Sequence, residues 1–350
     1  MKILIVDNGL EFDTETLYTK CLGGSEVTAF LLGLGLSEIG NQVVIVNSNK
    51  SRQEAPNLII DNINNFYPYA EIADIILLNR YVPPSIMDFI GKKKVFYMAH
   101  DAYDQPNVKW LMNANAEQYL NKIICVSEWQ KNTFIRYMRV SPDKLTVLGN
   151  PIIYSLYQGY TERDPNKLVF TSIPYKGLNV LPDLFNEICI RSKNDKLHLH
   201  VYSSFELYNR IQEDESYSNM FKNLMRTKDV YLYKPIPMNQ LAFIFKSASL
   251  NLAPSTYHET FGRVFVESAA SGCLTVAMNN GANKEIIGDN GFVLDYSNIY
   301  NNEAFNYFVD KTCELLESDL YSKRVKAERE MKKWNYTTIS KQLEKIFIDN

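Results

Sequence analysis

Short apolar stretches rich in β-branched residues recur along the chain, with amphipathic segments between them. This alternation is typical of βαβ units, in which helices cover both faces of a parallel sheet. The pattern runs through the chain twice, with a polar stretch at 158–166 between the two series. The sequence therefore predicts an α/β protein with two doubly wound, Rossmann-like domains that face a central cleft.

The predicted strands fall into one group for each domain. The first group is 2–6, 42–46, 58–60, 74–78, 94–98, 122–126 and 145–148, and the second is 167–172, 197–202, 230–233, 249–253, 274–278 and 291–294. Residues 25–39 and 128–139 are the clearest helices of the first group. A long amphipathic segment at 321–348 is expected to break near Trp334-Asn335-Tyr336, where helix propensity drops.

The domain boundary is predicted from Asn150-Pro151, because a residue before proline is pushed out of the α region. The first domain then covers 1–155, and the second covers 156–334. Ligands of doubly wound sheets bind beyond the carboxyl ends of the strands, so residues just after strands are the candidates for a site.

Charge and composition exclude several classes of protein. The 350 residues are 46% hydrophobic, and 37 basic residues stand against 40 acidic ones, so a nucleic-acid partner is not expected. The main basic cluster is Lys92, Lys93 and Lys94, ahead of the apolar stretch 95–98. We interpret it as a solvated approach to a buried strand. The alternative is a peripheral membrane contact.

Cysteine usage and the N-terminus predict a cytoplasmic protein. The five cysteines contain no Cys-x-x-Cys pair, which indicates neither a zinc site nor a disulfide framework. The apolar run at the N-terminus breaks at Asp7, too early for a signal peptide. No apolar stretch approaches the roughly 20 residues of a membrane-spanning helix.

The segment 254–267 directly follows a predicted strand and carries two carboxylates, Glu259 and Glu267. If 259–267 were one helix, its rise would place the second carboxylate about 12 Å from the first. Such a pair could hold the two sugars of a nucleotide sugar, since each carboxylate accepts hydrogen bonds from neighbouring hydroxyls. The backbone N–H groups of 260–262 would attract phosphate at the helix N-terminus. The alternative is that Glu259 only stabilises the helix N-terminus and Glu267 is solvated.

The segment resembles the donor-binding signature of the family 4 retaining glycosyltransferases of GT-B fold. The resemblance lies in His-Glu-Thr-Phe-Gly at 258–262 and Val-Glu-Ser-Ala-Ala-Ser-Gly at 266–272, which include a Glu-x7-Glu motif. It implies that Glu259 and the backbone of Thr260, Phe261 and Gly262 contact the transferred sugar. Glu267 would hold the ribose.

Further parts of the chain are similar to the same family. Gly23-Gly24 resembles a glycine turn that approaches the donor phosphates, although a plain turn before a helix explains it equally. His100 resembles a histidine near the reacting sugar, with a strand-end histidine bonded to backbone as the alternative. Lys176-Gly177 resembles the turn whose lysine neutralises the leaving diphosphate, and Gly281 belongs to a turn that either neighbours the sugar or is structural.

One departure from the family concerns charge at the diphosphate. The family usually carries an arginine a few residues before the lysine, but Thr171, Ser172 and Ile173 are uncharged. Fewer cations leave the phosphate charge less stabilised. Arg263, next to Gly262, is our candidate for the missing charge.

No metal and no other cofactor is predicted. His198 and His200 alternate on one strand, but a third ligand at metal spacing is lacking, so packing is the favoured interpretation. The absence of an Asp-x-Asp pair after a strand agrees with the metal independence that the resemblance implies.

The resemblance also implies the activity and the assembly of the chain. The expected protein is a retaining hexosyltransferase of polysaccharide biosynthesis, which takes a UDP- or GDP-linked sugar and a glycan or lipid-linked acceptor. The acceptor is expected in the first domain near Tyr103 and Gln105. The final helix, 335–350, is expected to pack back on that domain. The alternatives are a nucleotide-sugar epimerase of the same fold and a binding module without catalysis.

Overall fold

The computed structural model describes residues 1–113 and 116–350, which form two compact units. Unit 1 contains Met1–Ile153 and Lys333–Asn350, and unit 2 contains Tyr154–Lys332. Each unit is built on its own sheet of predominantly parallel strands with helices between them. The predicted α/β class with two doubly wound domains is confirmed.

Unit 1 has an eight-stranded sheet in the order β3-β4-β2-β1-β5-β6-β7-β8. Its strands are β1 (Lys2–Val6), β2 (Gln42–Asn47), β3 (Gln53–Ala55), β4 (Leu58–Asn62), β5 (Ile75–Asn79), β6 (Lys94–Ala99), β7 (Lys122–Cys125) and β8 (Leu145–Val147). All pairs are parallel except β3 with β4. The sequence pattern does not predict β3, because its residues Gln-Glu-Ala lack apolar alternation.

Four α-helices precede the domain boundary among the described residues of unit 1. They are α1 (Thr16–Thr19), α2 (Gly24–Glu38), α3 (Phe66–Ile72) and α4 (Glu128–Thr133). Ser127 caps α4 by accepting a hydrogen bond from the Gln130 N–H at 3.0 Å. The helix predicted over 128–139 continues from α4 as a π-helix at Phe134–Met138, which ends at Arg139 in the left-handed region. The wider turn keeps Phe134 and Met138 buried.

Unit 2 has a six-stranded parallel sheet in the order β11-β10-β9-β12-β13-β14. Its strands are β9 (Lys167–Phe170), β10 (His198–Tyr202), β11 (Val230–Tyr233), β12 (Leu250–Ala253), β13 (Leu274–Ala277) and β14 (Gly291–Val293). The chain order reverses between β9 and β12, so this pair of strands marks the switch point where ligands of such sheets bind.

Seven helices cover the second sheet. They are α5 (Leu181–Ser192), α6 (Ser218–Arg226), α7 (Met238–Ser247), α8 (Arg263–Ala270), α9 (Asn283–Ile287), α10 (Asn302–Glu317) and α11 (Tyr321–Glu330). Helix α8 buries nearly its whole length, including Phe265 and Val266, against the sheet. Because α8 is held in the core, polar residues on it have fixed positions.

The last helix, α12 (Tyr336–Asp349), belongs to unit 1. The 3₁₀ turn Met331–Trp334 separates it from α11, so the predicted break near Trp334 is confirmed. Helix α12 packs on α2, where a Cβ at Gly35 would lie 2.3 Å from the Ser340 hydroxyl oxygen. The glycine therefore permits the close approach of the two helices. Further along, the rings of Phe347 and Phe96 lie 4.7 Å apart.

Truncating Phe347 tests how far α12 stabilises unit 1. Phe347 is fully buried, so Phe347→Ala is expected to cost about 3 kcal/mol through lost burial and a cavity. Urea unfolding followed by fluorescence would measure the loss as a lower midpoint for unit 1. The neighbouring Ile348 is 62% exposed, and Ile348→Ala is the matched control. Equal midpoints for the two variants would contradict a stabilising role of the contact with Phe96.

The basic cluster ahead of β6 is engaged with helix ends. Lys93 donates to the carbonyls of Glu71 and Ala73 at 2.7 Å each, near the C-terminus of α3. Lys94 donates to the Phe347 carbonyl at 3.1 Å. Positive charge is favourable at helix C-termini, which accounts for these two lysines. None of the helices in the described parts of the chain has the length and apolar character that crossing a membrane requires.

Candidate functional site

Lys176 lies just beyond the carboxyl end of β9, in the 3₁₀ turn Pro174–Lys176. Gly177 follows with φ of 109°, and a Cβ there would lie 3.1 Å from the Pro254 ring. Pro254 directly follows β12, so the glycine lets the two loops pack together. This packing carries Lys176 to the segment that contains Glu259.

Lys176 and Glu259 form an ion pair at the switch point of unit 2. The ammonium Nζ lies 2.5 Å from the carboxylate Oε1, and the side chains are 18% and 13% exposed. The ammonium also lies 5.0 Å from the centre of the Tyr257 ring. The pair places one cation and one acceptor-only anion side by side with little solvent around them. A ligand with both phosphate and hydroxyl groups matches this chemistry.

Small polar residues line the pocket around the pair. Thr171 and Ser172 come from the end of β9, and Ser255 comes from the loop after β12. The Thr171 hydroxyl is buried and has no hydrogen-bond partner among the described residues. The pocket therefore offers hydroxyl groups, but no second cation, beside Lys176 on the β9 side.

Gly281 fixes the backbone of Glu259. The Glu259 carbonyl accepts a hydrogen bond from the Ala282 N–H at 2.7 Å, and Glu259 forms a parallel bridge with Gly281. Gly281 has φ of 64°, and a Cβ there would lie 2.1 Å from the Glu259 carbonyl oxygen. The turn after β13 is thus a direct neighbour of Glu259, and only glycine fits it.

The assumption of one helix from Glu259 to Glu267 is wrong. Helix α8 begins at Arg263, after Gly262 in the left-handed conformation with φ of 71°. The distance of about 12 Å, which assumed a helical rise throughout, therefore does not apply. Phe261 is 1% exposed, so its ring belongs to the core and only its backbone is left to meet a ligand.

The second carboxylate of the motif is buried on α8. Glu267 accepts a hydrogen bond from Arg263 Nη2 at 2.7 Å, and the two side chains are 8% and 10% exposed. Burial, followed by the negative charge of Glu267, raises the pKa of Tyr157 well above its usual value. Arg263 thus neutralises Glu267 and is not solvated. The alternative interpretation of the sequence, in which the Glu267 side chain is solvated, is therefore excluded.

The predicted site residues of unit 1 lie at the carboxyl edge of the first sheet. Gly23 is the N-cap of α2 and Gly24 is its first residue, so the glycines form the turn into a helix. His100 follows β6, and its Nε2 lies 2.8 Å from Asn79 Oδ1. The structure thus pairs Lys176 with Glu259 and Arg263 with Glu267. It also pairs His100 with Asn79, which the sequence analysis did not single out.

The missed residues are Asp7, Glu26 and Asn79, which are buried beside His100 and the glycine turn. Asp7 follows β1 directly, and Asn79 ends β5. The position of Asp7 and Asn79 at strand ends could have identified them from the sequence, because polar residues at the carboxyl edge of a sheet are candidates for a site. Burial, followed by the charge of Glu26, raises the pKa of Asp7 to about 7.

The raised pKa of Asp7 predicts a dependence of stability on pH. The folded chain keeps this proton up to about pH 7, whereas the unfolded chain releases it near 3.8. Between these values the folded state binds more protons, so the free energy of unfolding falls as the pH rises. The loss is a few kcal/mol at most, since one pKa unit corresponds to about 1.4 kcal/mol. Melting curves of wild type and Asp7→Asn from pH 4 to 8 should diverge, with wild type losing stability relative to Asp7→Asn, because the neutral amide resembles the protonated carboxyl at every pH. Parallel curves would contradict the shift.

Histidines of the second sheet form their own pair. His198 Nδ1 lies 2.9 Å from His200 Nε2, and His198 Nε2 lies 2.9 Å from Asp164 Oδ2. Burial lowers the pKa of His200 to about 4. Among residues 1–113 and 116–350, no group of three or more His, Cys, Asp or Glu is placed to hold a metal ion.

The fold belongs to a known class of two-domain α/β proteins. Solved structures that resemble the whole chain include HepE of Anabaena in complex with UDP-glucose, at 17% identity, TM-score 0.71 and full coverage of both chains. Sucrose-phosphate synthase of Thermosynechococcus elongatus aligns at 12% identity and TM-score 0.73 over 100% of this chain and 99% of that one. A glycosyltransferase of Rickettsia africae aligns at 18% identity and TM-score 0.68 over 99% and 98%. The fold is thus the GT-B fold of glycosyltransferases.

The second unit also matches a family by its sequence. Residues 165–333 match the family described as glycosyl transferases group 1. The matched part of the chain contains Lys176, Glu259 and Glu267. No curated protein matches the chain at a significant level.

Proposed function

We propose that the protein is a retaining glycosyltransferase of the family 4 type. It moves a hexose from a UDP- or GDP-linked sugar to a hydroxyl of a glycan, lipid-linked or other acceptor. The observation that carries the proposal is the Lys176–Glu259 pair at the switch point of unit 2, in the part of the chain that matches the group 1 family. The complex of HepE with UDP-glucose supports a UDP-linked donor.

The two carboxylates of unit 2 have separate roles in binding the donor. Glu259 accepts hydrogen bonds from hydroxyls of the hexose, and the backbone of Thr260, Phe261 and Gly262 lies beside it. Glu267 accepts hydrogen bonds from the ribose, held in place by Arg263 at 2.7 Å. The glycine turn at Gly23-Gly24 approaches the diphosphate through its backbone.

Lys176 supplies the charge that the reaction needs. As the bond between the anomeric carbon and the diphosphate oxygen breaks, negative charge grows on the diphosphate, and the Lys176 ammonium stabilises it. The acceptor hydroxyl bonds to the anomeric carbon on the same face, and its proton passes to the departing phosphate oxygen. Configuration is retained, and His100 positions the sugar. This mechanism requires neither an enzymic nucleophile nor a metal.

Arg263 is the second candidate cation at the diphosphate. Its ion pair with Glu267 keeps the guanidinium buried in the segment that we assign to the donor. We expect Arg263→Ala to weaken binding of UDP and UDP-sugar in calorimetry. Unchanged affinity together with unchanged turnover would remove Arg263 from the site.

The acceptor side is assigned to unit 1, and unit 2 to the donor. Tyr103 stacks on Tyr137 with ring centres 4.4 Å apart, an aromatic pair in the region where the sequence predicts the acceptor. Polysaccharide assembly in the cytoplasm fits the cysteine pattern of the sequence, which contains no Cys-x-x-Cys pair and indicates no disulfide framework. Contact with membrane is at most peripheral.

A panel of nucleotide sugars tests the function. UDP-glucose, UDP-galactose, UDP-N-acetylglucosamine and GDP-mannose are screened by thermal shift, since a ligand selective for the folded state raises its melting temperature. Any binder is then followed for nucleoside diphosphate release, with Glu259→Gln as the inactive variant. Proton NMR of the product reports the anomeric configuration. Release with inversion would contradict the retaining mechanism.

A binding module without catalysis is the second candidate. The uncharged Thr171 and Ser172 beside Lys176 favour it, because they leave the diphosphate with less positive charge. Binding without release of nucleoside diphosphate, with any acceptor, would support this alternative. Conversion of the bound sugar to its epimer would instead indicate a nucleotide-sugar epimerase.

A further inference from the structure

A chain of buried hydrogen bonds in unit 1 ends at His100. Asp7 follows β1, Asn79 ends β5 and His100 follows β6. These three strands are neighbours in the order β1-β5-β6, so their carboxyl ends bring the residues together. Asp7 and Asn79 are 2% and 1% exposed. Polar groups this deeply buried need hydrogen-bond partners. The donor and the acceptor of each bond can therefore be deduced from the chemistry of the two partners.

The partners of the Asn79 amide fix its orientation. Its Nδ2 donates to Asp7 Oδ2 at 2.6 Å and lies 3.2 Å from the backbone carbonyl of Ser25. A backbone carbonyl only accepts, so the NH₂ group must point to this side. Asn79 Oδ1 therefore faces His100, at 2.8 Å from Nε2. Since Oδ1 only accepts, Nε2 must carry a hydrogen.

A pair of buried carboxyl groups supports the amide from behind. Asp7 Oδ1 accepts from the Gly9 N–H at 2.8 Å, and Glu26 is 3% exposed on α2. A Cβ at Gly9 would lie 2.2 Å from Glu26 Oε1 and 3.0 Å from Asp7 Oδ1, so both carboxyl groups converge on this glycine. Two carboxylates so close cannot both ionise cheaply, and the pair retains one proton near neutral pH.

The remaining charges around the network are already balanced. Arg80 directly follows Asn79 and donates to both oxygens of Asp101, at 2.7 and 2.8 Å. Asp101 directly follows His100, so each end of the Asn79–His100 bond is anchored to a bidentate ion pair. Asn79 contacts both His100 and Asp7 and so links the histidine to the buried carboxyl groups.

We propose that Asn79 is a positioning residue for the transfer reaction, which holds the His100 ring as the Nε2–H tautomer, with Nε2–H directed at the Asn79 amide oxygen. The Asp7–Glu26 pair keeps the Asn79 amide in the required orientation. This inference rests on the proposed function for its catalytic consequence only. The tautomer itself is a property of the free protein.

Two measurements test the inference on full-length protein. Long-range ¹H–¹⁵N spectra of histidine-labelled protein report the tautomer, with the His100 signal assigned by its loss in His100→Gln. Wild type is expected to show the Nε2–H form and Asn79→Ala a mixture of tautomers. In the transfer assay, Asn79→Ala is expected to lower kcat about 10- to 100-fold with little change in donor KM, as loss of an orienting partner does.

A swapped variant separates positioning from folding. In Asp7→Asn combined with Asn79→Asp, residue 79 again presents an acceptor to His100, and residue 7 now supplies the donor. This double variant should restore the tautomer and most of kcat. A wild-type Nδ1–H tautomer, or full activity in Asn79→Ala, would overturn the inference. If wild type transfers no sugar, the proposed function fails, and the spectra still decide whether Asn79 fixes the ring.

Discussion

Replacing Lys176 with methionine is expected to lower kcat for sugar transfer about 100- to 1,000-fold, with a smaller effect on donor affinity. The proposed contact grows in strength as charge develops on the diphosphate, and removal of one such contact costs this much in other enzymes. Steady-state release of nucleoside diphosphate would measure the loss. Lys326→Met is the matched control, because Lys326 is half-exposed and pairs with Asp289 at the surface.

The ion pair with Glu259 provides a check on this interpretation. Lys176→Met leaves a largely buried carboxylate unpaired, so its melting temperature should also fall. The double variant Lys176→Met with Glu259→Gln removes both charges and should regain stability relative to Lys176→Met. If the single variant Lys176→Met lost stability but kept the turnover of wild type, Lys176 would be a structural residue and the role at the diphosphate would be wrong.

Gly281→Ala is expected to have the largest effect on stability, about 4 kcal/mol or more. Its Cβ would lie 2.1 Å from the Glu259 carbonyl oxygen and 2.6 Å from the Glu259 nitrogen, and backbone atoms cannot move aside as a flexible side chain can. The turn must open, which displaces Glu259. We therefore expect a lower melting temperature of unit 2 and loss of the thermal shift with nucleotide sugar.

Gly159→Ala separates the clash from backbone strain. Gly159 also belongs to unit 2 and has φ of 91°, but nothing lies within 4 Å of its Cβ position. Only the cost of a left-handed alanine applies there, roughly 1–2 kcal/mol. Comparable losses in the two variants would show that the contact between Gly281 and Glu259 does not hold the site.

Much of the fold follows from local patterns. Strands β1 and β11 lie within the predicted bounds because a buried parallel strand is a short apolar run. The break near Trp334 was predictable because helix propensity drops there. Strand β3 and the π-helix at Phe134–Met138 were not, since Gln-Glu-Ala lacks apolar alternation and the residues of 134–138 give no local signal that separates a π-helix from an α-helix.

The candidate site also has features that local sequence patterns predict and features that they do not. The motif around Glu259 and the turn at Lys176 can be recognised in the sequence because their spacing is local. Their contact at 2.5 Å spans 83 positions, and no local pattern indicates it. The same holds for Asn79, whose bonds reach 72 positions back to Asp7 and 21 forward to His100.

The sequence by itself determined the two α/β halves, the strands that carry the site, and the residues with suitable chemistry. Only the tertiary structure decided that Glu267 is neutralised by Arg263 in a buried position, that Gly281 fixes Glu259, and that Asn79 contacts both His100 and Asp7. The physical reason is that periodicity and propensity act between near neighbours, whereas burial, charge pairing and steric fit arise where strand ends meet. These last properties exist only once the sheets have formed.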